Sequence, residues 1–277
     1  MSRSRKAFVA GLVFLASLAT TIFSGRLEGD FRIDEVHKIS ETFFLRLVEE
    51  GDWGSSAWLD SPVERTNPPV GKLLFGLAIQ AVGQPLPTDL RVATLTQNGR
   101  RLPPPEWQAQ YQRWLFPARM MSALATAATA SLVLLLGWFA TDLSGGLICV
   151  LFYSLNFLVA AFSATAVFDP LLSFFIVLAG ALSLLIENQK IAAISASLAA
   201  ALAFNVRVTG LLAIAACVVL FLITRRLRAA ALSATIFPIA AIALNPFYWV
   251  PGPVSDALPQ RTVSRILLQQ HDLRTLL

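Results

Sequence analysis

The sequence predicts an all-α, multi-pass membrane protein, and three observations support this fold class. Of the 277 residues, 56% are hydrophobic and only 14% are charged, whereas soluble domains carry about 25% charged residues. Several apolar runs reach roughly the 17–25 residues with which a helix crosses a bilayer. Basic residues collect in short turns and at the N-terminus, as in membrane proteins that keep positive charge in the cytoplasm. The net charge of +5 is therefore poor evidence for a nucleic-acid partner.

Seven apolar runs are long enough to span a bilayer, some of them with tilt or with end residues that reach to its surface. They are 7–24, 115–139, 146–163, 169–186, 191–206, 210–224 and 230–247. The first could be mistaken for a secretion signal, but its apolar part is longer than such signals have, so we expect an uncleaved span. Cys149 and Cys217 lie in apolar runs without metal or redox spacing, which indicates packing residues.

The short apolar run 70–83 decides the orientation of every later span. With 14 residues it is short for a span, which favours a helix on the membrane surface. The basic N-terminus and the triple-arginine turn at 225–228 then both face the cytoplasm, as the positive-inside rule requires. If 70–83 spanned the bilayer, that turn would face outward. We therefore predict seven spans.

This topology divides the chain into four parts. They are a cytoplasmic N-terminus and first span at 1–24, an external loop at 25–114, a six-span bundle at 115–247 and an external tail at 248–277. Within the external loop, hydrophobic periodicity predicts two amphipathic surface helices, at about 35–50 and 70–83. The second begins after a Pro-Pro pair, which suits a first helical turn.

Polar side chains that are costly near lipid are predicted to converge on the external face of the bundle. They are Asp34, Glu35, Asp169, Arg207 and Asn245. Arg119 lies deeper, inside the 115–139 run, where an acidic partner is expected. Neither His37 nor His271 belongs to a group with zinc-binding spacing, and no glycine loop of the kind that cradles nucleotide phosphates is visible. This convergence is the main reason to expect a functional site.

Six short motifs resemble the protein O-mannosyltransferases and their bacterial relatives, which are integral-membrane glycosyltransferases of the GT-C architecture. In chain order they are "DEVHKISE" at 34–41, "NPPVGKLLFGLA" at 67–78, "RMMSALATAA" at 119–128, "ATAVFDPLLSFF" at 164–175, "VRVTGLLA" at 206–213 and "LNPFYW" at 244–249. The resemblance implies a GT-C-type seven-transmembrane-helix module with two surface helices in the first external loop. This agrees with the spans counted above.

By this resemblance the chain is a glycosyltransferase, a hexosyltransferase similar to the mannosyltransferases of protein glycosylation. The implied donor is a polyprenyl-phosphate-linked monosaccharide, the acceptor is a hydroxyl of protein, lipid or glycan, and the transfer inverts the anomeric centre. The catalytic aspartate of the family's Asp-Glu pair matches Asp34, which would take the acceptor's proton, with Glu35 in support. From the residues alone, Asp34 is equally well explained as the N-cap of the helix at 35–50.

The other candidate residues each have a functional and a structural interpretation. Asp169 either binds substrate or a divalent metal, since hard cations prefer carboxylate oxygens, or caps the helix that follows it. Arg207 either binds the donor phosphate or reaches to lipid headgroups. Arg119, Lys72 and Asn67 complete the predicted substrate-binding set, with headgroup contact favoured for Lys72. Relatives often carry His or Lys where this chain has Asn67. Metal dependence stays open.

Two other functions compete with the enzyme. They are a transporter or flippase for a lipid-linked sugar and a non-catalytic membrane subunit. Acids gathered at one interface and the lack of a visible repeat favour the enzyme over the transporter. Because family members are usually longer, we expect a minimal form, a fragment or a subunit that works with another membrane chain. A bacterial-type inner membrane, with the site facing outward, is the expected location.

Overall fold

The computed structural model describes residues 3–24, 27, 35–53, 55, 68–88, 94–95, 101–102 and 108–246. Within these residues the predicted all-α class is confirmed, apart from one small antiparallel pair of strands. In chain order the elements are α1 (Arg3–Phe23), α2 (Glu35–Ser40), α3 (Phe43–Glu49), α4 (Pro69–Ala81), β1 (Thr94–Leu95), β2 (Arg101–Leu102), α5 (Gln108–Ala140), α6 (Leu143–Leu155), α7 (Phe157–Phe162), α8 (Asp169–Leu185), α9 (Gln189–Val206), a 3₁₀ turn (Val208–Gly210), α10 (Leu211–Ile223) and α11 (Leu227–Ala243).

Three of the described helices are long and apolar enough to cross a membrane. They are Ser4–Phe23, Gln108–Ala140 and Gln189–Val206, which lie in α1, α5 and α9. Shorter apolar helices accompany them, namely α4, α6, α8, α10 with its 3₁₀ turn, and α11. The chain therefore contains helices of membrane-spanning character, as the sequence predicts.

Small side chains allow the helices of the second half of the chain to pack closely around α9. This helix contacts α8, α10 and α11, and most of its buried residues are alanines. Small interface residues let neighbouring helices approach each other, which is the usual packing in membrane bundles. Near the end of α9, the Asn205 side-chain amide donates to the Ala241 carbonyl at 3.0 Å, which ties α9 to α11.

Two long helices, α1 and α5, run antiparallel to each other. The Ser131 hydroxyl of α5 donates to the Ala10 carbonyl of α1 at 3.0 Å, and Lys6 near the start of α1 lies 5.5 Å from the ring centre of Trp138 near the end of α5.

A basic residue also contacts the C-terminal end of α8, where Arg226 donates to the Ile186 carbonyl at 2.8 Å. Arg226 therefore lies about 25 Å from the N-terminal end of α8, since this helix has 17 residues and a helix rises 1.5 Å per residue.

The predicted span at 146–163 is not one helix. The structure divides this stretch into α6 and α7, with Asn156 between them in an extended conformation. The Asn156 side chain accepts hydrogen bonds from the backbone N–H groups of Leu158 and Val159. An asparagine side chain that competes in this way with the helical ladder caps a new helix instead of continuing the old one.

The predicted amphipathic surface helix at 35–50 is also wrong as stated. It is broken at Glu41 and Thr42, where the Thr42 hydroxyl donates to the Ile39 carbonyl at 2.7 Å. A surface helix exposes one face, yet every residue of α2 except Lys38 is buried, because α2 packs against α4 and α5. By contrast, α4 begins at Pro69, within one residue of the predicted start.

Candidate functional site

A buried ion pair joins the first residue of α2 to the first half of α5. The Arg119 guanidinium donates to both Glu35 carboxylate oxygens, at 2.8 and 2.7 Å, and neither side chain is more than 1% exposed. A third donor, the Ala166 backbone N–H, lies 2.7 Å from Glu35 Oε1, and Arg119 also donates to the Leu27 carbonyl at 3.1 Å. The expected acidic partner of Arg119 is thus Glu35. The pair draws α2, α5 and the segment before α8 together.

A second charged group lies between α2 and α4, centred on the fully buried Glu41. Lys38 Nζ lies 3.4 Å from Glu41 Oε2, and Lys72 Nζ lies 3.8 Å from Glu41 Oε1. His37 Nε2 lies 3.1 Å from Oε1 but is not aligned for a hydrogen bond. Lys72 is fully buried and also lies 4.6 Å from the centre of the Phe44 ring. Contact of Lys72 with lipid headgroups, favoured from the sequence, is therefore wrong.

The charges around Glu41 determine its ionisation. Burial raises the pKa of a carboxyl group, but here the opposing effects of Lys72, Lys38 and His37 prevail and hold the pKa of Glu41 at about 2, below its ordinary value of 4.5. The folded protein therefore keeps this carboxylate ionised at pH values where the unfolded chain already binds a proton. Ionised Glu41 stabilises the fold fully above pH 4.5, and this stabilisation is lost as the pH falls towards 2.

We predict a pH dependence of stability that Glu41→Gln removes. Between pH 4.5 and about 2, the free energy of unfolding of the wild type should fall on the order of 3 kcal/mol further than that of the variant. Detergent-induced unfolding followed by circular dichroism across this window measures the slopes. Glu50→Gln, at an exposed pair with Arg46, is the matched control and should keep the wild-type slope. Parallel wild-type and Glu41→Gln slopes would contradict the assignment.

Aromatic packing connects this charged group to the start of α8. The Lys38 ammonium lies 4.7 Å from the ring centre of Phe168, and the same ring packs against Phe75 at 5.5 Å between centroids. A Cβ atom at Gly71 would lie only 2.6 Å from the Phe168 ring, so a residue without a side chain is required there. The ring thus fixes α2 and α4 against the residue that precedes Asp169.

An exposed ion pair joins the C-terminal end of α9 to the N-terminal end of α8. Arg207 Nη1 donates to Asp169 Oδ1 at 2.7 Å, and the two side chains are 49% and 44% exposed. Helix α8 begins at Asp169 itself, and Phe168 occupies the cap position without a side-chain cap bond, so the N-cap interpretation of Asp169 is wrong. The carboxylate in the first turn is instead favoured by the helix dipole and paired with Arg207.

Cavities adjoin this end of the bundle. One of about 410 Å³ lies between α1, α5, α6 and α7 and is open on one side. A smaller one of about 180 Å³ has Asp169 in its wall. The two are neighbours because Thr126, Tyr153, Val159 and Ser163 line both. Asp169 thus faces a space that a ligand can occupy, with Arg207 beside it.

The structure brings most of the predicted site residues to one end of the bundle. Glu35, Arg119, Asp169 and Arg207 meet there through the 163–168 segment, and Lys72 lies beside them under α2. Asn245 is buried just after the end of α11. Asp34, Asn67 and His271 lie outside the described residues.

Sequence reasoning missed Glu41, Lys38 and the part that His37 plays beside them. A signal was present, because His37 and Lys38 stand four and three residues before Glu41, the spacing at which helical side chains meet. Among the residues that the structure describes, no group of three or more His, Cys, Asp or Glu side chains could hold a metal ion. Asp169, for which the sequence leaves both a substrate and a metal role open, is paired with Arg207.

Comparisons with known proteins were made for the whole chain. No protein-family model, no curated protein and no solved structure matches it. The function is therefore inferred from the contacts of the described residues together with the resemblance of the short motifs.

Proposed function

We propose that this chain is a membrane glycosyltransferase that moves a monosaccharide from a polyprenyl-phosphate-linked donor to a hydroxyl acceptor. One observation carries the proposal. A buried carboxylate–guanidinium pair, Glu35 with Arg119, and an exposed one, Asp169 with Arg207, lie at the same end of an apolar helical bundle, where Asp169 lines a cavity. Charged groups are expensive near lipid and are retained there chiefly where they act on a ligand.

The chemistry of such a transfer needs a base and a cation. An alcohol is a weak nucleophile, so a carboxylate that takes its proton speeds the attack on the anomeric carbon. We assign this role to Asp34, which directly precedes Glu35 in the chain. The donor phosphate leaves with growing negative charge, which the half-exposed Arg207 is suited to stabilise. A single displacement inverts the anomeric centre.

The proposed topology is a seven-span, GT-C-type module in a bacterial-type inner membrane. The seven predicted spans correspond to α1, α5, the α6–α7 pair, α8, α9, α10 and α11. Lys6 and Arg226 lie at the end of the bundle away from Glu35 and Asp169. Since basic residues remain in the cytoplasm, the end with the acids faces outward, where a carrier lipid presents its sugar.

The test is a transfer assay on the purified chain in liposomes. Polyprenyl-phosphate sugars of several kinds are supplied with peptide, lipid and glycan acceptors, and the product is detected by mass spectrometry. We expect transfer of one of these sugars, with inversion. Absence of product from the chain alone and from the chain purified together with its membrane partners would refute the enzyme.

A variant at Arg207 separates a ligand-binding role from a structural one. Arg207→Gln should change the free energy of unfolding by less than about 1 kcal/mol, because exposed ion pairs contribute little to stability. The KM for the lipid-linked donor should nevertheless rise about tenfold or more, since a charge-assisted bond to phosphate is lost. Arg46→Gln, at another exposed ion pair, serves as the control for both measurements. A KM equal to the wild-type value would remove Arg207 from the site.

A second candidate function is a flippase for a lipid-linked sugar. The break between α6 and α7 favours it, because Tyr153 and Val159 on either side line a cavity and discontinuous helices commonly form the sites of transporters. A fluorescent polyprenyl-phosphate sugar in one leaflet of a liposome tests this function. Rapid appearance in the other leaflet, without sugar transfer, would favour the flippase.

A further inference from the structure

The larger cavity has a wall whose hydrogen-bonding character the structure defines. Hydroxyl side chains contribute much of the polar lining, and five of them donate to a backbone carbonyl of their own segment at 2.6–3.4 Å. These bonds run from Thr20 to Ala16, Thr21 to Ser17, Ser24 to Thr21, Thr126 to Ser122 and Ser163 to Ala160. A hydroxyl whose proton is used in this way still has a lone pair to offer. These five hydroxyls therefore present acceptor oxygens to the cavity, and Ser17, Tyr153 and Ser154 add three further hydroxyls to its wall.

The smaller cavity also has an acceptor in its wall, the carboxylate of Asp169. Asp169 is an acceptor, and one of its oxygens already accepts from Arg207. Apolar side chains such as Val13, Val150 and Val159 fill the spaces between the hydroxyls. A ligand that complements such a wall carries several O–H donors on a compact, partly apolar frame. This description fits a sugar ring, whose C–H faces can pack against the apolar part of the wall while its O–H groups donate to the hydroxyl oxygens.

The backbone supplies an independent observation that points to the same place. The apolar stretch 143–162 is interrupted at Asn156, and residues on both sides of the interruption line the cavity, with Ser154 before it and Val159 after it. Interrupted helices within apolar stretches are tolerated where they line a cavity and often form a binding site. The interruption and the acceptor-rich wall therefore mark one location.

We propose that this cavity binds the sugar portion of a glycosylated ligand through O–H groups that donate to the wall, with Thr126 at the junction of the two chambers. The sugar belongs either to the carrier lipid or to a glycan acceptor. The proposal rests on the proposed transferase only for the choice between these two sources. Binding itself requires no catalysis.

The experiment measures binding by the full chain in phosphatidylcholine nanodiscs, after purification in a sugar-free detergent. The probe is radiolabelled octyl glucoside below its micellar concentration, and the comparison is octyl tetraethylene glycol ether. The two share an alkyl chain, but the oxygens of the ether are mostly hydrogen-bond acceptors. They cannot pair with the acceptor oxygens of the cavity wall. Saturable binding of the glucoside and not of the ether is expected. Equal binding of both, or of neither, would overturn the proposal.

Thr126→Val tests the site with an almost unchanged side-chain volume. The dissociation constant for octyl glucoside should rise about fivefold, the effect of losing one hydrogen bond. Thr235→Val is the matched control, because its hydroxyl makes the same bond one turn back on α11, away from the lining residues. Ser163→Ala should behave like Thr126→Val and replaces it if circular dichroism shows a fold defect. Unchanged affinity in both variants would refute the site.

Competition distinguishes the two sources of the sugar. Displacement of octyl glucoside by a short-chain polyprenyl-phosphate sugar, and not by a soluble methyl glycoside, assigns the cavity to the carrier lipid. The reverse assigns it to a glycan acceptor, and displacement by neither contradicts the proposal. Specific glycoside binding without any transfer activity would refute the proposed transferase alone. Transfer activity with unchanged binding by Thr126→Val and Ser163→Ala would refute the cavity assignment alone.

Discussion

Asp34→Asn should lower the turnover of sugar transfer by about 10²–10⁴-fold, the range that a positioned general base contributes. Asparagine has nearly the shape of aspartate but cannot take a proton from the acceptor hydroxyl. The KM for the donor should change little, because the lost interaction belongs to the transition state. Single-turnover rates in liposomes, with the donor saturating, measure the effect directly.

The control for this variant is Asp142, which follows the end of α5 that is remote from Arg119. Asp142 caps α6 by accepting from the Gly145 N–H at 2.9 Å, and asparagine caps helices as well as aspartate does. Asp142→Asn should therefore keep both stability and turnover. Full turnover by Asp34→Asn would remove this aspartate from the mechanism. Glu35 would not be a simple substitute, since both of its oxygens already accept hydrogen bonds.

Arg119→Met should destabilise the protein by about 3–5 kcal/mol. Removing one partner of a buried ion pair leaves the other charge without compensation in a medium that solvates it poorly. Here Glu35 would lose both of its hydrogen bonds from the guanidinium while its bond from the Ala166 N–H remains. Unfolding by a denaturing detergent, followed by circular dichroism, gives the difference in free energy from the wild type.

A double variant tests whether the cost arises from the isolated charge. Adding Glu35→Gln to Arg119→Met removes the charge and leaves an amide oxygen that can still accept from Ala166, so more than half of the lost stability should return. Arg46→Met, at a solvent-exposed ion pair, should cost less than about 1 kcal/mol. A double variant as unstable as the single one would show that packing, and not charge, determines the effect.

The helical positions could be predicted from the sequence because apolar run length directly reports them. The sequence also predicted that Asp169 and Arg207 lie on the same side, and in the structure the start of α8 and the end of α9 bring them together as a pair. The break at Asn156 could not be read from hydropathy, because a single polar residue inside an apolar run barely alters it. The break becomes visible only in the structure, where the Asn156 side chain accepts hydrogen bonds from the N–H groups of Leu158 and Val159.

The interior of the candidate site was the part that sequence reasoning described least well. A lysine that follows a Pro-Pro pair at the start of a surface helix is most simply explained by contact with lipid headgroups. This is the interpretation that the sequence favours for Lys72. The buried Lys72 lies beside the carboxylate of Glu41, which stands 31 residues earlier in the chain, and no sequence pattern links the two positions. Pairings of this kind depend on how α2 and α4 pack together, and one-dimensional periodicity contains no information about that.

The tie between Glu35 and Arg119 also has a consequence for how the protein is made. The two residues are 84 positions apart, so at roughly 5–20 residues per second the ribosome adds the arginine about 4–17 seconds after the glutamate. Until then the carboxylate needs water around it. Segment 35–49 can therefore reach its packed position against α5 only after that helix has been made.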